Sequence, residues 1–476
     1  MRRKWKLTMA CLLASTLVLG ACGAKKDEAA APEGEGDIKE ITVQAPDVLG
    51  IKLEDLNGGG TLGGQYEGQK IIVATRAGDF ADALKNAAQY FEQASGAKVE
   101  IQSFPAGTDV EKIQLDLNTG NHFDAVLMPV ANVHGYAEGG LIQDLQPYVD
   151  SIGSPNLDLE DFIPSLLESY GKYKGKLVAF PYKPDSQLFF YRKDLFEDPE
   201  IQKQYKEKTG KELVVPTTVE DFLATAEFFT QKYNPDSPTK YGYSSMASKT
   251  NSRLIWQNRL AAFGGKDVDE NFKPAFNNEA GLKAMETMLE LRKYAPSEWL
   301  QLGWDEANAL FASGEVAMME QWPGLFSTIE GEQSKVKGKV GFGVTPGGSP
   351  TMGGWAIAMT NTTKYPEATY KFLEYVTSKD GELLKIGYTM DPTRTSNFER
   401  PEVMASNPMY PALLDSLSAA KILVDPDVPF VSSKLNDIME NAIQAVLRDF
   451  LAPQEALDQM EKEFEREIEY VGLGQS

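Results

Sequence analysis

Residues 70–104 decide the fold, and they read KIIVATRAGDFADALKNAAQYFEQASGAKVEIQSF. The stretch 70–75 is mostly apolar and predicts a buried strand. Apolar residues then recur at helical spacing from Phe80 to Phe91, and residues 98–104 alternate in the manner of a second strand. A strand, a helix and a strand of these lengths predict a βαβ unit within a parallel sheet.

The same alternation continues along the chain. Further strands are predicted at 124–128, 316–320, 340–344 and 355–359, and further helices at 109–117, 219–233, 279–294, 367–377, 433–450 and over the last 25 residues. Thr218 to Asp221, after Pro216, has the pattern of a capped helix start. About 410 residues follow residue 66, which is long for one domain and comfortable for two, so we expect an α/β protein of two domains.

The first 22 residues have the pattern of an export signal. Four basic residues, Arg2, Arg3, Lys4 and Lys6, precede an apolar run at 7–19, which ends in Leu19-Gly20-Ala21-Cys22. At about 13 residues the run is too short to cross the roughly 30 Å hydrocarbon core as a helix. A cysteine at the cut resembles the bacterial lipobox, in which that cysteine becomes the lipidated N-terminus.

We therefore expect residues 1–21 to be a lipoprotein signal peptide and Cys22 to carry the lipid. Residues 22–66 are rich in Ala, Gly, Glu, Asp and Lys, and we expect a flexible acidic linker there. The protein should lie on the extracellular face of the cell membrane, held by its lipid anchor only. The long acidic linker suggests a Gram-positive cell.

Composition excludes several classes of function. The formal charge is 47 − 69 = −22, and removal of residues 1–21 makes it 43 − 69 = −26. Such a surface repels phosphate backbones, so no nucleic acid is expected as a partner. Both cysteines, Cys11 and Cys22, fall within or at the end of the leader. The two histidines, His122 and His134, are expected to be solvated or capping, so no metal site is predicted.

A glycine-rich stretch at 58–63 matches the pattern G-x-G-x-x-G. No predicted strand precedes it and no predicted helix follows it, so it fails the structural context of a dinucleotide site. We therefore expect no cofactor.

Five blocks of sequence carry a resemblance to a known family. In order they are FDAVLMP with GYAEGGLI (123–142), YKGKLVAFPY with FYRKDLF (173–196), PTT with Asp221 (216–221), FASGEVAMM (311–319), and GGWAIAM with PEA and FL (353–373). Their order and spacing resemble the family 1 extracellular solute-binding proteins, the maltodextrin-binding type that feeds ABC importers. Arg192 departs from the asparagine common there, and Thr218-Val219 replaces a frequent Thr-Trp.

The resemblance implies a two-lobed, periplasmic-binding-protein-like α/β fold of type II, with a hinge between the lobes. We place the first lobe at 67–183 plus 352–395 and the second at 184–351 plus 396–476. The first crossing is expected at 181–185, because two prolines there would interrupt a strand. The implied function is capture of a sugar or oligosaccharide for an ABC permease by a monomeric protein that is not an enzyme.

A sugar groove needs flat aromatic rings for sugar faces and polar groups for hydroxyl edges. Three tryptophans are expected in loops that face such a groove: Trp256, Trp322 and Trp355. Trp299 and Trp304 are expected to be structural. The polar candidates follow predicted strands or crossings, and they are Arg76, Asp79, Asn132, Tyr182, Asp185 and Arg394. Asp185 takes the family's acidic position just past the first crossing.

Two other classes of function remain open from the sequence. A binding protein for a non-sugar solute, such as a polyamine, a metal or a phosphate compound, would share the same fold. A surface-anchored glycoside hydrolase would need a pair of carboxylates, which 69 acidic residues supply by chance alone. Neither a Gly-x-Ser-x-Gly motif nor a phosphate-binding loop motif occurs in the sequence.

Overall fold

The computed structural model describes residues 64–106, 108–120, 122–154, 157–388, 390–423, 428 and 430–473. The predicted signal peptide, Cys22 and nearly all of the predicted linker lie outside these residues. The twelve strands are β1 (Lys70–Arg76), β2 (Lys98–Phe104), β3 (Ala125–Pro129), β4 (Lys172–Tyr173), β5 (Lys176–Leu177), β6 (Phe180–Ser186), β7 (Leu188–Arg192), β8 (Tyr241–Ser245), β9 (Val316–Gln321), β10 (Val340–Val344), β11 (Thr351–Met359) and β12 (Ile422–Leu423).

Nineteen α-helices fall within the described residues. They are α1 (Asp79–Ser95), α2 (Asp109–Thr119), α3 (Val133–Glu138), α4 (Gln146–Ile152), α5 (Pro164–Leu166), α6 (Lys193–Phe196), α7 (Pro199–Thr209), α8 (Val219–Phe228), α9 (Ser252–Ala262), α10 (Glu279–Leu291), α11 (Trp304–Ala312), α12 (Leu325–Ile329), α13 (Pro366–Val376), α14 (Lys379–Ile386), α15 (Thr395–Phe398), α16 (Pro401–Ser406), α17 (Tyr410–Ala419), α18 (Ser432–Leu447) and α19 (Pro453–Tyr470). Short 3-10 turns lie at Val130–Asn132, Leu159–Asp161 and Trp299–Gln301, and one π-helical turn lies at Leu167–Gly171.

The first sheet has the order β12-β11-β3-β1-β2, and β6 pairs with the other edge of β11. Strands β1, β2 and β3 are parallel, as the βαβ pattern predicted, whereas β11 runs antiparallel to β3 and β6. Helix α1 connects β1 to β2 and ends at Gly96, whose φ of 77° is the left-handed conformation that glycine adopts readily. The carboxyl ends of β1, β2 and β3 therefore share one edge of this sheet.

The second sheet has the order β10-β7-β9-β8. Strand β7 is antiparallel to both neighbours, and β8 is parallel to β9. Helix α8 begins as predicted, because the Thr218 side chain accepts a hydrogen bond from the Asp221 amide, but it ends at Phe228 and not at residue 233. The prediction of an α/β protein with two sheet-based lobes is confirmed.

Two hydrophobic cores fill the molecule. One joins α1, α13 and α14 to one face of the first sheet, with Ile71, Leu84 and Phe372 among its members. The other extends from Val126 of β3 to Met318 of β9, so it is continuous between the two sheets. Helix α17 contributes to this continuity, because it packs against both β6 and β10.

The two prolines near the first crossing do not interrupt the strand, which corrects the expectation for residues 181–185. Strand β6 runs through Pro181 and Pro184 to Ser186 and pairs with β11 alone. An edge strand tolerates proline, since one side of it needs no amide donors. The chain then changes sheets at Gln187, and it returns between β10 and β11.

No helix among the described residues combines the length and the apolar character that a membrane crossing requires.

Candidate ligand-binding cleft

Trp355 is packed against Arg76, the last residue of β1, and against Phe80 of α1. The guanidinium carbon of Arg76 lies 4.4 Å from the centre of the Trp355 ring, and the Phe80 ring centre also lies 4.4 Å away. Only 7% of Trp355 is exposed. The sequence placed Trp355 in a turn, and this was wrong: residues 352–355 belong to β11, which pairs with strands on both sides. Stacking of a sugar on this ring would first require Arg76 or Phe80 to move.

Arg76 is held in place by a buried carboxylate. Its Nε donates to Oδ2 of Asp109 at 2.9 Å, and the Asp109 side chain is 1% exposed while that of Arg76 is 30% exposed. Asp109 is the first residue of α2, so the loop after β2 fixes the arginine that ends β1. The guanidinium is therefore bonded to the protein on one side, and part of its surface remains open to solvent.

Strand β6 supplies the other charged groups beside Trp355. Its pairing with β11 sets Lys183 opposite Trp355 and Asp185 opposite Gly353. Lys183 Nζ donates to Asp185 Oδ2 at 3.2 Å, with side-chain exposures of 13% and 23%. Gly354 has φ of +128°, and a Cβ there would lie 2.5 Å from the Lys183 carbonyl oxygen, so only glycine allows β6 to pass this closely.

One carboxylate oxygen at this position has no partner. Among the described residues, nothing hydrogen-bonds to Oδ1 of Asp185, although the atom is buried. Burial raises the pKa of Asp185, and the opposing charge of Lys183 only partly offsets this effect. A buried acceptor without a donor is costly, so Asp185 Oδ1 is the atom here most suited to receive a hydroxyl from a ligand.

Asp391 lies behind this pair. It is 6% exposed, and burial raises its pKa to about 6, with Lys183 opposing and Asp185 adding to the rise. Burial by itself would lower the pKa of Lys183, but Asp185 and Asp391 outweigh it and the pKa is raised. The lysine therefore stays charged between two carboxyl groups.

Three predicted site residues lie in the protein interior, and these expectations were wrong. Trp256 is 0% exposed in the middle of α9, where its ring lies 5.8 Å from that of Phe276. Arg394 is 0% exposed, and it donates to the carbonyl oxygens of Thr377, Asp158 and Leu157.

Tyr182 is 1% exposed, and the Lys385 ammonium lies 4.7 Å from its ring centre. It belongs to the first-sheet core although the adjacent Lys183 is partly exposed. Core packing thus accounts for Trp256 and Tyr182, and three backbone carbonyls together with the Asp161 carboxylate account for Arg394.

The remaining candidates lie elsewhere on the surface. Trp322 directly follows β9 and is half-buried at the edge of the second sheet. Asn132 ends the 3-10 turn after β3 and lines a cavity of about 220 Å³ together with Phe430 and Ser432. Asp79 is exposed as the first residue of α1. The structure thus brings together Arg76, Trp355 and Asp185.

Sequence reasoning missed three contributors to this region, Phe80, Asp109 and Lys183, and it missed the exposure of Trp304. Trp304 was expected to be structural, but it is 39% exposed and its ring packs over Gly324, close to Trp322 in the chain. Trp304 directly follows Gly303 at the start of α11, and this position at a helix end is the sequence feature that could have indicated its exposure. The others depend on strand pairing and side-chain contacts that one sequence does not display.

His122 is exposed as expected, whereas His134 is neither solvated nor a helix cap, because it packs beside Tyr173. His122 Nδ1 lies 2.5 Å from Asp116 Oδ1 on an exposed surface after α2. His134 Nε2 lies 2.9 Å from the Lys172 carbonyl oxygen beside β4. His134 also lines a cavity of about 520 Å³ together with residues of the segments 168–174, 266–272 and 421–422.

Comparison with known proteins gives a consistent pattern. A family model described as "Bacterial extracellular solute-binding protein" matches residues 86–412. A probable amino-acid ABC transporter periplasmic-binding protein of Sinorhizobium fredii is 26% identical over 367 residues, covering 74% of this chain and 79% of the relative. The mannitol-binding protein of Pseudomonas aeruginosa is 28% identical over 308 residues, covering 59% and 65%.

Solved structures share the fold. An ABC transporter solute-binding protein from Agrobacterium radiobacter K84, in complex with ribitol, superimposes with a TM-score of 0.67 at 26% identity, covering 84% of this chain and 99% of that one. The sugar-binding protein MalE from Xanthomonas citri gives a TM-score of 0.73 at 18% identity, covering 85% and 99%, and at that identity it supports the fold alone.

Proposed function

The chain belongs to the bacterial extracellular solute-binding protein family, and from this premise we propose that it binds one sugar or sugar alcohol between its two lobes. It then delivers the ligand to the membrane subunits of an ABC importer. The lobes are those built around the two sheets, and the chain passes between them at Gln187 and again between β10 and β11. The sequence suggests a third crossing near 395/396. The protein acts as a monomer and as a binding protein, not as an enzyme.

The observation that carries this proposal is the unsatisfied Asp185 Oδ1 beside Arg76 and Lys183. A polyol offers hydroxyl donors to the carboxylate and hydroxyl acceptors to the two cations. Hydrogen bonds to charged groups are each worth about 1.5–3 kcal/mol. The ribitol and mannitol named for two relatives are ligands of this chemistry.

The mixed charge of this cluster disfavours the non-sugar alternatives. A polyamine would meet the cations Arg76 and Lys183, and a phosphate compound would meet Asp185 and Asp391. A hydrolase would need an acid that faces its substrate. Asp391 has the raised pKa of such an acid, but it is 6% exposed and hydrogen-bonded to Tyr410.

The test is titration calorimetry with ribitol, D-mannitol, D-tagatose, maltose, spermidine and phosphate. We expect at least one of the four carbohydrates to bind and the last two not to bind. Asp185→Asn should weaken binding about ten- to a hundredfold, because each 1.4 kcal/mol is a factor of ten in Kd. Asp449→Asn, which removes an exposed charge paired with Arg292, is the matched control. Binding of spermidine or phosphate alone, or equal affinity in both variants, would refute the proposal.

Cys22 supplies the membrane attachment in this proposal, since the lipid must be the anchor of so acidic a chain. Cys22→Ala should release the protein into the medium or leave its uncleaved precursor, as detected by blotting of cell fractions. A mature Cys22→Ala variant still bound to the membrane would contradict lipid anchoring.

A further inference from the structure

The two strands that connect the lobes are tied directly to each other. Gln187, the single residue between β6 and β7, donates its backbone amide to the carbonyl oxygen of Thr351 at 3.1 Å. Thr351 is the first residue of β11 and is 0% exposed. The outgoing and the returning crossing therefore meet at one buried point.

One side chain of the second lobe bonds to both crossings at that point. Asn258 Nδ2 donates to Oε1 of Gln187 at 2.5 Å, and the backbone amide of Thr351 donates to Oδ1 of Asn258 at 2.8 Å. Asn258 is 1% exposed and Gln187 is 3% exposed. A primary amide has one donor end and one acceptor end, and here each end serves a different connecting strand.

Helix α9, which carries Asn258, is fixed firmly within the second lobe. The residue before, Gln257, donates to Asp267 Oδ2 at 2.8 Å, and the residue after, Arg259, forms a fully buried ion pair with Glu320 of β9. The helix packs mainly against α10 and α18, and it also contacts β11 and β12 where the crossings meet. Asn258 thus moves with the second lobe as part of one rigid unit.

We propose that Asn258 is a positioning residue that clamps both connecting strands to the second lobe. Lobe rotation is then confined to the first-lobe side of the clamp, at residues 184–186 and 353–354. That segment contains Gly354 in its positive-φ conformation and Asp185 itself. The inference rests on the proposed function, because a fixed pivot serves a protein that closes on a ligand.

A distance measurement between the lobes tests the clamp. The chain from residue 23 onward contains no cysteine, so Lys85→Cys on α1 and Lys283→Cys on α10 can be spin-labelled selectively. Both lysine side chains are about half exposed, at 53% and 52%. Pulsed electron paramagnetic resonance on the ligand-free protein then gives the distribution of interlobe distances.

The clamp predicts a distribution at least twofold broader in Asn258→Ala than in the parent. Asn234→Ala is the matched control, because Asn234 is a buried second-lobe asparagine whose Nδ2 donates to the Phe228 carbonyl away from the crossings. Its distribution should keep the parent width. An unchanged width in Asn258→Ala, or equal broadening in both variants, would overturn the clamp.

Gln187→Ala provides a second route if Asn258→Ala does not fold. It should broaden the distribution relative to the parent, and an unchanged width would overturn the clamp. Where Asn258→Ala does fold, the double variant should be no broader than Asn258→Ala alone, because both changes break the same link. If the broadening in the double variant equalled the sum of the broadenings in the two single variants, the two residues would not act through one link, and the proposal would be wrong. No ligand is added in these measurements, so their outcome is separate from whether the protein binds carbohydrate.

Discussion

At the scale of single residues, the cleft contains one buried acceptor that has no hydrogen-bond donor. The side chains around it already bond to or pack against other protein groups. Asp185 offers Oδ1, while its Oδ2 bonds Lys183. Arg76 is fixed by Asp109 and covers part of Trp355. An aromatic ring covered in this way contributes to the stability of the free protein, whereas a partly buried ring such as Trp322 keeps some surface for a ligand.

Trp355 and Trp322 should therefore differ when each is changed to alanine. Trp355→Ala should lower stability by about 3–5 kcal/mol, as for other buried tryptophans. Trp322→Ala should cost less stability and weaken carbohydrate binding by about tenfold through lost stacking. Denaturant unfolding and calorimetry on the same two variants check this, with Trp256→Ala as the buried control. A larger loss of stability in Trp322→Ala than in Trp355→Ala, with the loss of affinity in Trp355→Ala instead, would contradict this prediction and identify Trp322 as a core residue.

The sequence predicted which types of residue occupy the site, but it did not predict which of the candidate residues are buried. Asp185 and Arg76 were predicted from places near a crossing and a strand end. In the structure Asp185 lies in β6, two residues before the chain changes sheets at Gln187, and Arg76 is the last residue of β1. Arg394 and Tyr182 satisfied the same positional rule, yet each is enclosed by neighbours from distant parts of the chain. Enclosure depends on tertiary packing, and one sequence without relatives contains no direct record of it.

At the scale of elements, α9 connects the crossings to the hydrophobic core of the second sheet. Helix α18 packs against the N-terminal end of α9. Glu440 of α18 is 4% exposed and accepts from the Arg253 backbone amide at 3.2 Å, and from Ser252. Burial raises the pKa of Glu440 to about 7, with the bonds from Ser252 and Arg253 opposing the rise. This carboxyl group therefore titrates near neutral pH in the folded protein.

Glu440 should make the protein less stable as the pH rises. Its pKa is about 7 when folded against an ordinary value of 4.5, so the folded state holds more protons between these values. The free energy of unfolding should accordingly fall from pH 5 to pH 7.5, and Glu440→Gln should make that fall shallower. Denaturant unfolding at several pH values measures this. Glu279→Gln, an exposed control, should match the parent, and a Glu440→Gln curve parallel to the parent would contradict the assignment.

Most elements were predictable where the apolar period was regular. The strand at 340–344 was predicted with its observed bounds, and the helix predicted at 433–450 is α18. The failures have local causes. Strand β6 contains two prolines, which an edge position tolerates, and β11 begins four residues early, at Thr351, because pairing with β6 and β12 extends it.

At the scale of the whole molecule, the central claim is that two lobes close on a carbohydrate. The core is continuous from the first sheet to the second, and α17 packs against strands of both. The connecting strands meet at Gln187 and Thr351, which the proposed clamp holds to the second lobe, so rotation is expected next to that point, at residues 184–186 and 353–354. A ligand that contacts both lobes in the closed state shifts the population towards that state.

Small-angle X-ray scattering, with and without the carbohydrate that binds in calorimetry, tests this claim most directly. If the lobes close, the radius of gyration should be smaller at saturation than in the free protein, and it should return to the free value when the ligand is dialysed away. A radius of gyration that stays unchanged while calorimetry shows the site to be saturated would contradict a protein that closes around its ligand.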